Sequence, residues 1–306
     1  MRLGVYLTSM LQGRPLRDLV EVGRLAEDFG FDDLCLGEHV VAFDAAPPWA
    51  ARAPHPPTEA FPEPLSTFAA LAMVTRRVRL VSCILIAPLR PAALLAKTAA
   101  TVHALSNGRL VLGVSVSWME PEYAALGVPF DARGAVLDDV IHACRALWSA
   151  SPASFSSRTV SFENAYCEPR PAHVDDIPLW FGGVCTSRLV RRVARYGQGF
   201  LPHITSGTSW EDVGAERRRI EQAMHAEGRD SANLEVGVRF PPFGGSFEEV
   251  LGRDMQRMLA AGITQLYCPL RAPQTVSEAA RALERMAREF EPYRQSSEVV
   301  SPSSRP

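Results

Sequence analysis

Eight short apolar runs, each followed by a stretch of helical periodicity, constrain this chain more than any other feature of it. The runs are "RLGVYL" from residue 2, "DLCLG" from 33, "VRLVSCILI" from 78, "RLVLGVSV" from 109, "PLWFGG" from 178, "QGFLP" from 198, "LEVGVRF" from 234 and "ITQLYCP" from 263. Between them Leu16, Leu19, Gly23, Ala26 and Phe29 recur at helical spacing, as do Leu95, Thr98, Val102 and Leu105, and later Val276, Ala279, Leu283 and Phe290. Eight strands that alternate with helices predict an α/β fold, a closed parallel TIM-like (β/α)8 barrel.

Two connections exceed what a plain barrel needs, so insertions are expected after strands two and four. The first, residues 38 to 64, is rich in Pro and Ala, and its length marks a functional loop. The second, about 150 to 177, reads as an extended excursion before strand five. One barrel domain is expected over 1–292, with 293–306, polar and rich in Ser and Pro, as a disordered tail.

Charge narrows the partner. A formal charge of -2 removes the electrostatic reason to expect nucleic acid or an acidic membrane, which leaves a small molecule. Neither a leader nor a stretch of transmembrane length is read, so a cytoplasmic protein is expected. Cys35, Cys83, Cys144, Cys167, Cys185 and Cys268 form no C-x-x-C pair and no zinc-type spacing, so most read as small buried hydrophobes and no metal is expected. The only lysine, Lys97, lies within a helical stretch and not at a strand end, which argues against a Schiff base.

In a barrel of this kind reactive residues come from the carboxyl ends of strands. That rule confines the search to Ser9, Glu38, His39, Cys83, Ile84, Ser115, Ser117, Trp118, Gly182, Gly183 and the end of strand seven. His39 directly follows strand two and neighbours Glu38; imidazole suits proton exchange near neutral pH, although a loop-capping histidine is the plainer alternative. In "FGGVCTSRLVRRVARYG" from 181, Gly182 and Gly183 free backbone N–H groups before a helix that starts near Thr186 and Ser187, a pattern shared by phosphate cradles and ordinary tight turns. Arg188, Arg191, Arg192 and Arg195 come next at helical spacing as a cationic stripe or a solvated face.

The succession "LGEHV", "PEPLSTFAALAMVTRRVRL", "APLRPAALLAKTAATVHALSNGRLVLGVSVSWMEPEYAALGVPFDARG", "RALW", "IPLWFGG" and "ARYGQGFLP" resembles the bacterial-luciferase-like flavin and deazaflavin oxidoreductases over about residues 1 to 290. The resemblance implies a TIM-like barrel with FMN or coenzyme F420 at its carboxyl face, and the "SNGRLVLGVSVSW" form is most similar to the branch assigned to F420. The activity it implies is hydride transfer to or from a small organic substrate. An FMN-dependent monooxygenase using molecular oxygen is the alternative, and a non-catalytic flavin-binding relative is the third reading.

The same resemblance implies site roles. It puts a cis Cys83–Ile84 peptide against the cofactor's middle ring and His39 beside the reactive ring as proton donor or acceptor; for such a cofactor the cradle read from Gly182, Gly183, Thr186 and Ser187 is the expected phosphate site. Ser115 and Ser117 stand where relatives commonly have glycine, so side chains enter a place of close cofactor approach. Trp118 stands where the sugar-phosphate dehydrogenase branch has a carboxylate, which argues against that branch's substrate. Trp49 and Trp118 are the expected substrate pocket, and Phe43, Trp49 and Phe61 point either to an apolar or ring-containing substrate or to packing of the loop onto the barrel. Family members are often dimers, and helices at 65–75 and 91–106 are the expected homodimer face.

Overall fold

The computed structural model describes residues 1–8, 14–43, 58–205, 207–240, 246–270 and 273–294. Eight parallel strands close into a barrel: β1 (Arg2–Tyr6), β2 (Asp33–Leu36), β3 (Arg79–Ser82), β5 (Leu110–Ser115), β8 (Leu179–Gly183), β9 (Gly199–Pro202), β10 (Glu235–Arg239) and β11 (Gln265–Pro269). β1 pairs with both β2 and β11, and closure runs through β3 against β5 with Leu80 opposite Leu110. All eight apolar runs form barrel strands. Among the described residues no helix is long and apolar enough to cross a membrane.

The third run departs from a continuous strand. It breaks after Ser82 and resumes as β4 (Leu85–Ile86), which pairs with β5 and leaves β2. Gly113 makes the break possible: a Cβ there would lie 2.0 Å from the Ser82 carbonyl oxygen, and the Ser82 hydroxyl donates to the Gly113 carbonyl at 2.9 Å.

Helices wrap the barrel with the apolar faces read from the sequence. α1 (Leu16–Asp28) buries Leu19, Val22, Gly23 and Ala26, and α9 (Val276–Phe290) buries Ala279, Leu283 and Phe290. α2 (Pro64–Val74) and α3 (Ala92–Leu105) pack side by side. Arg109 of the "SNGR" motif ties α2 to the sheet, donating to the carbonyls of Ala72 (3.1 Å), Thr75 (3.0 Å) and Val78 (2.7 Å). These acceptors include last-turn groups that a helix cannot satisfy itself.

The region after strand four holds α4 (Glu120–Ala125) and α5 (Arg133–Ser149). The excursion beyond α5 is an antiparallel hairpin, β6 (Ala153–Ser156) with β7 (Ser161–Ala165), in which the rings of Phe155 and Phe162 lie 5.9 Å apart. Lys97 donates to the Glu168 carbonyl and so braces the chain beyond the hairpin, a structural task. α6 (Ser187–Tyr196), α7 (Trp210–Ala226) and α8 (Phe247–Ala260) complete the ring.

Inside the barrel, glycines on three strands make room for two large rings. A Cβ on Gly237 would lie 2.7 Å from Tyr267 and 3.1 Å from Trp180, one on Gly4 2.5 Å from Tyr267, and one on Gly199 2.6 Å from Trp180. At the amino end a charged layer closes the floor. Arg79 holds the fully buried Asp33 with two bonds, 2.7 and 3.0 Å, and both oxygens of Glu235 at 2.9 Å. Burial opposes the guanidinium's charge, but Asp33 and Glu235 outweigh it and raise the arginine's pKa. Arg79→Gln leaves the buried Asp33 without its cation, while Glu235 keeps Arg2 at 3.6 Å, so we expect a loss of about 3–5 kcal/mol in chemical denaturation; a loss of less than about 1 kcal/mol, the range of an ordinary surface pair, would show that the layer is not a clamp.

Candidate active site at the carboxyl mouth

The chain leaves β2 through Gly37, where a Cβ would meet the Tyr6 hydroxyl at 2.1 Å, and the Gly37 N–H donates to Thr8 Oγ1 at 3.0 Å. This tight exit brings His39 onto the carboxyl rim. Its Nδ1 lies 3.1 Å from Oε2 of Glu122, a fully buried residue of α4 that is 83 positions away in sequence. The other oxygen of Glu122 accepts from the Val40 N–H at 2.5 Å. One carboxylate therefore fixes both the ring and the backbone beside it. Because a carboxylate only accepts, Nδ1 carries the proton in this pair and Nε2 is left for proton exchange. Phe61 and Trp118 pack against the imidazole in T-shaped arrangements, at centroid distances of 5.1 and 5.8 Å.

Glu38 does not orient His39. Its side chain turns the other way and accepts from the Ile86 N–H at 2.6 Å and from Arg90, which also reaches Glu63 at 2.7 Å. Successive residues of an extended segment face opposite sides, so neighbours in sequence are separated in space. Glu122 is not among the residues that the strand-end rule picks out. The only signal for it in the sequence is the abrupt acidic turn "SWMEPEY" at the end of a buried run.

The Cys83–Ile84 peptide is cis, in agreement with the resemblance. Both side chains are partly exposed at the mouth, and Ile84 Cγ2 stands 2.6 Å from where a Gly182 Cβ would be. A hydrogen bond with the Cys35 thiol pulls the Cys83 pKa below the ordinary range against the opposing effect of burial, whereas burial raises that of Cys35. Ser115 is not a free pocket hydroxyl, since it donates to the Gly182 carbonyl at 2.8 Å and ties β5 to β8. Ser117 has φ of 58°, in the left-handed region that favours glycine. Beyond it Tyr123 donates to the Val116 carbonyl and packs edge-on against Phe130, 5.4 Å away. Trp118 thus stands at the site, whereas Trp49 and Ser9 lie outside the described residues.

After β8 the chain turns through Gly183 at φ of 131°, and Thr186 caps α6 by accepting from the Leu189 N–H at 3.3 Å. Arg219 braces the turn from α7, donating to the Cys185 carbonyl and the Ser187 hydroxyl at 2.9 Å each. The hydroxyls of Thr186 and Ser187 are thus engaged in building the turn. Both hydroxyl oxygens accept in these bonds, so their O–H groups and the first-turn N–H groups of Ser187 and Arg188 remain as donors for an anion, whereas the Arg188 guanidinium lies against α5, 2.5 Å from the place of a Gly134 Cβ. The arginine stripe divides accordingly, for Arg192 pairs with Asp138 at 2.6 Å and Arg195 with Glu227 at 3.1 Å.

Residues 1–301 match the family model described as luciferase-like monooxygenase. An F420-dependent glucose-6-phosphate dehydrogenase of Amycolatopsis mediterranei is 30% identical over 210 residues, covering 67% of this chain and 58% of that protein. An FMNH2-dependent dimethylsulfone monooxygenase of Pseudomonas putida is 27% identical over 172 residues, covering 55% of this chain and 45% of that one. The crystal structure of a monooxygenase from Streptomyces bottropensis superposes with a TM-score of 0.76 at 19% identity, covering 96% of this chain and 99% of that one, and shares the fold.

If Glu122 pins the loop after β2, Glu122→Leu should speed hydrogen exchange of the Val40 amide by about 10- to 100-fold, the loss of one bond to a charged acceptor. Unchanged exchange at Val40 in a folded variant would remove Glu122 from this role.

Proposed function

Because the chain belongs to the luciferase-like monooxygenase family, we propose that it binds coenzyme F420 at the carboxyl mouth and exchanges hydride with a small organic substrate. Members of this family are F420- or FMN-dependent oxidoreductases and monooxygenases, and the chain is an enzyme of that kind. The observation that carries the proposal is the His39–Glu122 pair, which fixes one imidazole nitrogen in a ring that also packs against Phe61 and Trp118.

The residues present fit such a cofactor. Gly183, at a backbone conformation that glycine favours, and the first turn of α6 with the hydroxyls of Thr186 and Ser187 offer an anion cradle suited to the cofactor's phosphate. Cys83, Ile84 and Gly182 would hold the ring system, with Ser115 keeping Gly182 in place through its bond to that carbonyl. When bound, the cofactor supplies the two-electron chemistry. The chain's own part is to orient both partners and to move one proton at His39 Nε2. Glu122 holds the imidazole so that this atom keeps its direction, and the two aromatic rings limit water around the imidazole. FMN with molecular oxygen is the alternative, for which the dimethylsulfone monooxygenase relative speaks; the longer and more similar match speaks for F420.

Fluorescence-quenching titration of the purified protein with each cofactor tests the assignment. Tight F420 binding with weak FMN binding is expected, and the reverse would favour the oxygenase. In the preferred holoenzyme His39→Ala should keep cofactor affinity and lose turnover by about 10²- to 10⁴-fold. Normal turnover would move proton transfer to another group.

We also propose a homodimer through α2 and α3, which expose Met73 (70%), Leu94 (57%) and Leu105 (47%) to solvent in the single chain. Sedimentation at micromolar concentration should show a dimer that Leu94→Glu converts to monomer; a monomeric parent protein contradicts this.

A further inference from the structure

β10 presents Glu235, Gly237 and Arg239 to the same side of the sheet, and the fate of the first two fixes the direction of the third. Glu235 is paired with Arg79 in the floor, and Gly237 lies against the rings of Tyr267 and Trp180 on the axis. Arg239 therefore points inward at the carboxyl mouth, at the end of strand seven. Its guanidinium lies 5.3 Å from the centroid of the Tyr6 ring, and its charge is felt by the thiols of Cys35 and Cys83 on β2 and beyond β3.

The other charges within the barrel are compensated: Asp33 and Glu235 by Arg79, and Glu38 at the rim by Arg90. Arg239 is the exception, an exposed inward cation that forms no ion pair among the described residues. A guanidinium backed by a ring keeps its planar fork free for a carboxylate, which it binds through two parallel N–H···O bonds. At the same carboxyl mouth, Phe61 and Trp118 supply apolar rings against the His39 imidazole.

We propose that Arg239 is the recognition site for a carboxylate on the substrate, so that the substrate class is a small organic acid with an apolar or ring-containing body. The proposal rests on the proposed function for the identity of the substrate site, but its test needs no cofactor. The anion could instead belong to the cofactor, and the experiment separates the two sources.

The full-length protein is titrated calorimetrically with benzoate, with benzyl alcohol as its uncharged counterpart, and separately with F420 and FMN. The parent protein should bind benzoate at least about tenfold more tightly than the alcohol, in line with a bond to a charged group. Arg239→Gln should abolish that preference, Arg239→Lys should keep part of it, and the cofactor that the parent protein binds should bind Arg239→Gln with the same affinity. Melting curves check that both variants are folded. No preference in the parent protein, or the same preference in Arg239→Gln, overturns the proposal. A loss of cofactor affinity of about tenfold in Arg239→Gln, the size of one such bond, without a benzoate preference would overturn it too and assign the cation to the cofactor. If neither cofactor binds while the benzoate preference behaves as expected, the functional reading fails and the anion site stands.

Discussion

A single guanidinium, that of Arg79, holds the amino end of the barrel together. It projects from β3, grips Asp33 on β2 and reaches across the interior to Glu235 on β10, so three strands are joined by one planar group. Tyr267 adds a bond to Asp33 at 3.2 Å, and Gln265 donates to Glu235. In an interior that excludes water, such charges are tolerable only when each is matched and its remaining lone pairs are occupied. With the floor matched in this way and the middle filled by Tyr267 and Trp180, the carboxyl mouth has the interior's only inward charge without an ion-pair partner among the described residues, Arg239. Stability and reactivity thus occupy opposite ends of the same strands.

The mouth has its own long-range tie. Glu122 joins the loop after β2 to the helix after strand four, and it does so from a fully buried position. Around it α4 is seated by Tyr123, whose ring packs with Ile86, Leu89, Val128 and Phe130 in a small apolar cluster. Removing that cluster's support would release the carboxylate, and with it the imidazole's orientation. The position of His39 consequently depends on side chains that never touch it.

Much of the barrel is legible in the sequence, because a strand buried on both sides must be apolar throughout and a helix against it must be apolar on one face. Both patterns are local, and both survive in one dimension. Partner choice is not local. Glu38 sits next to His39 in the chain and turns away to Arg90, whereas Glu122 comes from 83 residues off. The break between β3 and β4 depends on Gly113 of a different strand, and within the run "VRLVSCILI" only the resemblance at "SCI", not the apolar pattern, marks it. Likewise the sequence places Thr186 and Ser187 at the turn after strand five, but only the three-dimensional arrangement shows that the cap and Arg219 engage their hydroxyls.

The two serines in place of glycines can be understood by the same distinction between chemistry and conformation. At position 115 the side chain is accommodated because its hydroxyl finds the Gly182 carbonyl, so the substitution adds a bond between strands four and five and leaves no unmatched polar atom. At position 117 the substitution is opposed by the backbone, since a residue with a Cβ in the left-handed region carries a cost on the order of 1 kcal/mol relative to glycine. That conformation is nonetheless kept, and the next residue, Trp118, packs against the His39 imidazole in a T-shaped arrangement. The packing of Tyr123 and Phe130 and the bond from Tyr123 to the Val116 carbonyl hold the turn from behind. The left-handed backbone at Ser117, held by that packing, is therefore the constraint that places an aromatic ring beside the His39 imidazole.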